Sequence, residues 1–449
     1  MKYSRVILPI CLSAFAFLLS SAQNRMITRD QALADIDSLV YTISEVHPNM
    51  YASCKQIEFM ESVLKAKRNL PDSLSVADFY GRIATSVAMI GDAHTRLWFP
   101  YQILKDSTLL WLPLSLDIDS NDSAMTVNGC VDGKIPIGAK LISLNGHGYK
   151  EMIENMLRYE SGERAFYRLD RLKYDYPGLM KVLYQAPEYA IKYKYGGKIA
   201  ETTLKAMTYP DAKSRMSKLI TNNPKIPQGD YSFHILDGKS IAVMDFNSFI
   251  NEERFKSFAD SMFTILKDKR IKNLIIDIRN NGGGNSSVGD TLFQYISPVP
   301  YQQFGKALFR VSPTSIRLMR HAWSIIPEEQ YSFYDDENLI PLHKNPLRYN
   351  GKVYLLISHT TFSSAGSFSW AFKYFKMGTV VGEESGGMNI CFGEMLSYEL
   401  PNSKLQCGIS CKRFTQYGAK ENDIHGTLPD YKVPQEKALD YTLKLIEKK

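Results

Sequence analysis

The chain has little to offer a disulfide scaffold, a nucleic-acid partner or a bilayer. Its six cysteines are scattered through 449 residues, and Cys11 lies in the apolar N-terminal stretch. The other five, Cys54, Cys130, Cys391, Cys407 and Cys411, form an odd, irregular set that excludes a disulfide framework. Cys407 and Cys411 share one side of an expected strand, but no histidine stands beside them at ligand spacing. Buried cysteines with at most one bridge among them are expected, with no metal and no cofactor. Charge of one sign is also missing: 54 basic against 47 acidic side chains leave a formal +7, too mild and dispersed for nucleic acid. After the first 22 residues, no apolar run approaches the ~20 positions that a spanning helix needs. Internal repeats and low-complexity tracts are absent as well.

What is present is an ordinary globular composition, 44% hydrophobic and 22% charged, with length for about two or three domains. Residues 1–22 stand apart. Lys2 and Arg5 precede a nearly unbroken apolar run from Val6 to Leu19, and Ser20, Ser21 and Ala22 supply small residues before Gln23. This is the pattern of a removable secretory signal, and it predicts a secreted or periplasmic mature protein. A retained anchor would need a longer run, and a lipid anchor on Cys11 would place that cysteine inside the apolar region.

Residues 23–100 read as a helical segment. Thr28 and Gln31 form a capping box ahead of Ile36, Leu39, Val40 and Ile43, a helix that ends at His47-Pro48. A second helix is expected from Ile57 to about Asn69, and a third runs from Ser75 to Gly91 before "GDAHTRLWF" turns into a strand. Residues 101–212 alternate in short strands, with an Asn145-Gly146 turn and one helix after it, as in a small α+β module. Residues 213–229, rich in Asn, Pro and Lys, read as a linker. From 230 to 449, continuous apolar strands alternate with helices, which predicts an α/β core with a parallel sheet. Within it, residues 298–350 are long, mixed and rich in Pro, Tyr and His, an insertion that could overhang the sheet.

Two loops leave adjacent strand ends of that sheet, "NNGGGNSS" and "HTTFSSAG", where ligands of open parallel sheets usually sit. A serine at such a turn can present its hydroxyl beside backbone N–H groups without helical partners. Ser363 or Ser364 can equally be a plain N-cap. The glycine-rich loop lacks the lysine of a phosphate cradle and the spacing of a dinucleotide site, so it reads by default as a flexible loop. Among the histidines, His47 reads as structural, His147 lies in a turn, His321 and His343 fall in the insertion, and His359 leaves its strand before the turn. His94 stands where a helix breaks into a strand, either to project into a cleft or as a satisfied structural residue.

The phrases "NLIIDIRNNGGG", "TFSSAGSF", "VVGEESGG" and "YELPNSKLQCGISCKRF", in this order, resemble the C-terminal processing peptidase family of serine proteases. "GDAHT" and "HGTLPDY" are similar to its branch with tricorn core protease and the interphotoreceptor retinoid-binding protein repeats, and "GKIPIGAKLISLNG" looks like the family's PDZ-like domain. The resemblance implies an α/β protein with a ClpP/crotonase-like catalytic core, an N-terminal helical segment and a PDZ-like module. It makes Ser363 the nucleophile, His94 the general base and Asp423 the acid that orients it, with the N–H groups of Ser364 and of Gly283 or Gly284 as oxyanion donors. The family's alternative lysine base would fall near Met388, Gly366 replaces a usual glutamate, and Asp423 is shorter than the expected glutamate, so Glu421 is a substitute acid. The implied function is an exported serine endopeptidase acting on unfolded or C-terminal polypeptide segments. The alternatives are a non-catalytic binding protein of the same fold for an apolar ligand or peptide, and an inactive adaptor. Oligomeric state is not legible.

Overall fold

The computed structural model describes residues 25–102, 110–119, 123–219, 229–236, 238–319, 331–335 and 338–448. The expected signal segment and His321 lie outside them. Thr28 caps α1 (Arg29–Val46) in the reciprocal box read from the sequence: its hydroxyl accepts the Gln31 N–H, and the Gln31 side chain accepts the Thr28 N–H. After α2 (Gln56–Lys67), Ser75 caps α3 (Val76–Ala88) by accepting from Asp78, and Gly91 reverses the chain at φ 74°. The next residues form the short strand Arg96–Leu97, which pairs with a strand from the far end of the chain.

The following module is an antiparallel sheet of β1 (Leu114–Ile118), β2 (Met125–Cys130), β3 (Lys140–Leu144), β4 (Glu188–Tyr195) and β5 (Lys198–Lys205), in the order β5-β4-β3-β2-β1. Asn145 and Gly146 turn with positive φ as their types allow. One expectation fails here. Besides α4 (Tyr149–Leu157), the stretch holds a second helix, the 19-residue α5 (Ala165–Leu183), where short strands were anticipated. The linker also begins inside a helix, α6 (Tyr209–Leu219), and residues 220–228 lie outside the described ones.

The remainder is built on a six-stranded sheet. β6 (Tyr231–Ile235) runs antiparallel to β7 (Ile241–Phe246); β8 (Asn273–Asp277), β11 (Lys352–Ile357), β12 (Thr379–Gly382) and β15 (Tyr431–Lys432) continue in parallel with β7. Alternation sends Met244, Ile276 and Leu355 to one face, against α7 (Glu252–Asp268), α8 (Ser286–Ile296) and α10 (Ser364–Tyr374). Val243, Ile275 and Leu356 go to the other, under α11 (Ala438–Glu447). Both faces are covered, which is why these strands read as unbroken apolar runs.

A second, antiparallel sheet takes β9 (Phe304–Arg310) and β10 (Tyr331–Asp335) from the stretch read as an insertion, together with β13 (Ile390–Glu399) and β14 (Gln406–Gln416). That stretch is therefore part of the framework: β9 pairs along β14, and the short helix α9 (Pro313–Leu318) follows it. Since β13 runs along one edge of β14, Arg96–Leu97 joins the edge that β9 also uses, and ties the end of the N-terminal helical segment to this antiparallel sheet.

Candidate active site

Strand β11 ends at Ile357 and the chain turns through a stitched loop into α10. The Ser358 N–H donates to Thr361 Oγ1, the Thr361 hydroxyl donates to the Ile278 carbonyl, and the Phe362 N–H donates to the Asn281 carbonyl. These bonds bind the serine loop to the glycine-rich loop after β8. Ser363 sits at the N-cap of α10 with φ 53° and ψ −128°. A non-glycine residue there stores on the order of 1–3 kcal/mol of strain.

A serine that merely capped the helix would accept an N–H from its first turn. Ser363 makes no such bond; its Oγ lies 3.0 Å from His94 Nε2 instead. The first helical residue, Ser364, sends its hydroxyl to the Gly284 carbonyl at 2.6 Å, which ties the two loops again. Gly283 must be glycine: at φ 99°, a Cβ would stand 2.7 Å from Ser363 Cβ and 2.8 Å from the Phe362 carbonyl oxygen. Its N–H donates to Asn281 Oδ1 at 2.9 Å. The N–H groups of Ser364, at the start of α10, and of Gly284 have no such partner.

His94 is held by the N-terminal segment. Its ring lies tilted against Phe362 with centroids 4.5 Å apart, and Phe362 in turn stacks with Tyr167 of α5 at 4.6 Å. The unanticipated α5 also fixes His359, through Phe166 at 4.3 Å and Asp170 Oδ2 at 3.3 Å, which removes His359 from the reaction centre. His94 Nδ1 is buried and makes no hydrogen bond; the carboxylate within ion-pair reach is Asp92, at 3.8 Å.

The two acids expected from the sequence bond elsewhere. Asp423 accepts from Asn389 Nδ2 and from the His425 N–H, each at 2.9 Å, and Glu421 pairs with Arg413 at 3.0 Å. Asp92 is almost wholly buried, and it accepts from Ser410 Oγ at 2.6 Å, from the His94 N–H at 2.9 Å and from His47 Nε2 at 3.2 Å. Burial alone would raise its carboxyl, but the hydrogen bonds from His47 and His94 outweigh it and hold the group well below the usual carboxylate range. Beside it, burial and the Asp92 charge push Glu163 up to about 8. The remaining departures have local explanations. Gly366 packs on Gly387, whose Cα would lie 2.9 Å from any Cβ at 366, so the glutamate of the resemblance has no room. Met388, near the place of the alternative lysine, is buried and bridges to Gly426.

Asp92, His47, Ser410, Glu163 and Tyr167 carry this site and were not singled out for it. A signal existed for two of them: an aspartate two positions before His94, and a serine set between Ile409 and Cys411 in an apolar strand. Among the described residues, no group of His, Cys, Asp or Glu is arranged to hold a metal ion, and no helix is long and apolar enough to cross a membrane.

A serine hydroxyl on an imidazole, set at the carboxyl end of a parallel strand beside unpaired amides, has the layout of a serine hydrolase. Residues 240–433 match the family model of peptidase family S41. The matched segment contains Ser363 and both loops, while His94 lies upstream of it. Among solved structures, mature CPAF superposes on 93% of this chain and 97% of its own with TM-score 0.64 at 13% identity. A serine-to-alanine mutant of CPAF gives TM-score 0.65 at 14% identity, covering 94% of this chain and 97% of that one. At such identities the likeness is one of fold.

Proposed function

We propose that this chain is a serine peptidase of family S41 that works through Ser363 as nucleophile and His94 as general base. The observation that carries the reading is the 3.0 Å separation of His94 Nε2 and Ser363 Oγ, with the serine in a strained turn that performs no capping. His94 Nε2 takes the Ser363 proton as Oγ attacks the peptide carbonyl. The resulting oxyanion lies against the N–H groups of Ser364 and Gly284, since that of Gly283 is engaged by Asn281. His94 then returns the proton to the leaving amine, and water deacylates the serine.

The substrates in this reading are unfolded or C-terminal polypeptide segments, and the protein is exported. The antiparallel module between 101 and 212 acts as a PDZ-like element that captures an extended chain by strand addition, and the parallel sheet is a ClpP/crotonase-like core. Support comes from the sequence resemblance and from the contact of α5, inside that module, with Phe362 beside the nucleophile.

The test is labelling by a fluorophosphonate probe together with turnover of an unstructured peptide. Wild type labels; Ser363→Ala and His94→Ala lose labelling and at least about 10⁴-fold in kcat. Ser364→Ala, which keeps the backbone donor, still labels. A wild type that neither labels nor cleaves across the pH range would sink the proposal.

A further inference from the structure

Behind His94 stands a second histidine whose protonation can be read from its neighbours. The Asn49 N–H donates to His47 Nδ1 at 3.1 Å. A ring nitrogen that accepts from an amide carries no proton, so the proton of this ring sits on Nε2. That atom faces Asp92 Oδ2 at 3.2 Å. The ring is 2% exposed and lies against Phe392, with centroids 4.5 Å apart. His47 is thus fixed as a neutral donor, and protonating it would cost the bond to Asn49.

Ser410 is the other side-chain donor to Asp92, and it too is neutral. Neutral donors stabilise a buried carboxylate without cancelling its charge. The full negative charge of Asp92 therefore remains for the one imidazole that must become positive. Oδ1 already accepts the backbone N–H of His94 at 2.9 Å, which fixes where the histidine leaves the chain, and it lies 3.8 Å from Nδ1 of the same ring. Nδ1 has no hydrogen-bond partner. When Nε2 takes the serine proton, a small ring rotation closes the Nδ1–Oδ1 gap. The other titratable groups facing Asp92 are Glu163, from the loop before α5, and Cys391 of β13. Burial raises both, so neither adds charge near neutral pH.

We infer that Asp92 is the carboxylate that positions His94 and balances its charge, the role that the family resemblance implies for Asp423, and that His47 is a positioning residue acting through Asp92. The inference rests on the serine–histidine reading above and adds to it an arrangement of four side chains, His47, Asp92, His94 and Ser363, drawn from α1's end, the turn after α3 and the start of α10.

The experiment compares wild type with His47→Phe, His47→Gln, Asp92→Asn and Asp423→Asn, reading kcat and KM on an unstructured peptide, fluorophosphonate labelling against pH, and thermal unfolding as a fold control. Asp92→Asn is expected to lower kcat by about 10²–10⁴-fold and to move the acid limb of the pH profile downward. His47→Phe, which fills the space without a donor, should lower kcat by about 10–100-fold with KM little changed, and His47→Gln, whose amide can still donate, should recover most of it. Long-range proton–nitrogen NMR on histidine-labelled protein should show His47 in the Nε2–H form, a readout independent of turnover. The inference is overturned if folded Asp92→Asn and His47→Phe react like wild type, if Asp423→Asn rather than Asp92→Asn moves the acid limb, or if NMR puts the His47 proton on Nδ1. An unlabelled wild type overturns the serine–histidine reading as well, so the two failures are distinct.

Discussion

The groups that decide chemistry here are single side chains in places their types do not favour: Ser363 at positive φ, Asp92 without solvent, Glu163 beside another carboxylate. Glu163 gives a direct test. Its carboxyl stands at about 8 in the fold against an ordinary 4.5, so between those values the folded chain holds a proton that the unfolded chain has released. Its contribution to stability is complete below 4.5 and is lost as pH rises through about 8. Glu163→Gln cannot lose that proton, so its melting temperature should fall less than that of wild type between about pH 5 and pH 9. Glu160 is also pushed up to about 8, by burial and then by Asp175, so it adds a slope of the same sign and the Gln variant flattens only part of the total. Equal slopes in the two proteins would refute the assignment. At this scale the sequence was half legible. The meeting of Ser363 and His94 could be anticipated because each sits in a short phrase that the family resemblance picks out. The carboxylate beside His94 could not, because motif order pointed to Asp423, whereas Ser410, which donates to Asp92, comes from 318 positions away and only folding brings it near.

Helices and strands act as the frame that holds those residues at fixed distances. Helix α10 approaches the loop after β12 so closely that Gly366 and Gly387 touch backbone to backbone. Gly366→Ala would force the first turn of α10 away from that loop, and Ser363 with it. The expected result is a loss of about 1–3 kcal/mol in stability and a fluorophosphonate labelling rate lowered by about tenfold or more; an unchanged melting curve would mean that the loop simply yields. The parallel sheet was legible because strands covered on both faces must be apolar throughout. Helix α5 was hidden by its own composition. It buries Tyr167, Asp170 and Lys181 among its apolar residues and contains Pro177, so its periodicity is blurred and its proline reads as a stop. Gly178 fits there because the Phe99 ring lies where its Cβ would be, 2.5 Å away.

Across the whole molecule, the boundaries suggested by composition do not divide the core. A single apolar cluster runs through Ile36 and Phe79 of the N-terminal helices, Leu141 and Leu172 of the module, and Cys407, Ile409 and Cys411 of β14. The polar tie across it is Asp35 of α1, wholly buried, which accepts from the N–H groups of Asn402 and Ser403 and from Asn402 Nδ2. Asp35→Ala strands those donors and should cost about 2–4 kcal/mol. Calorimetry should still show one cooperative transition at lower temperature, with activity lost in parallel; a separate early transition of the N-terminal helices would contradict the shared core.

The proposed nucleophile follows its proposed base by 269 positions, and in that reading the separation has a consequence for the life of the chain. A ribosome working at roughly 5–20 residues per second needs on the order of tens of seconds to pass from one to the other. Throughout that interval the growing polypeptide owns a histidine but nothing for it to activate. A fragment released before Ser363, or a molecule nicked so that its two ends part, would lack the paired serine and histidine. Destructive capacity therefore arrives late and all at once, when the finished chain closes on its own beginning.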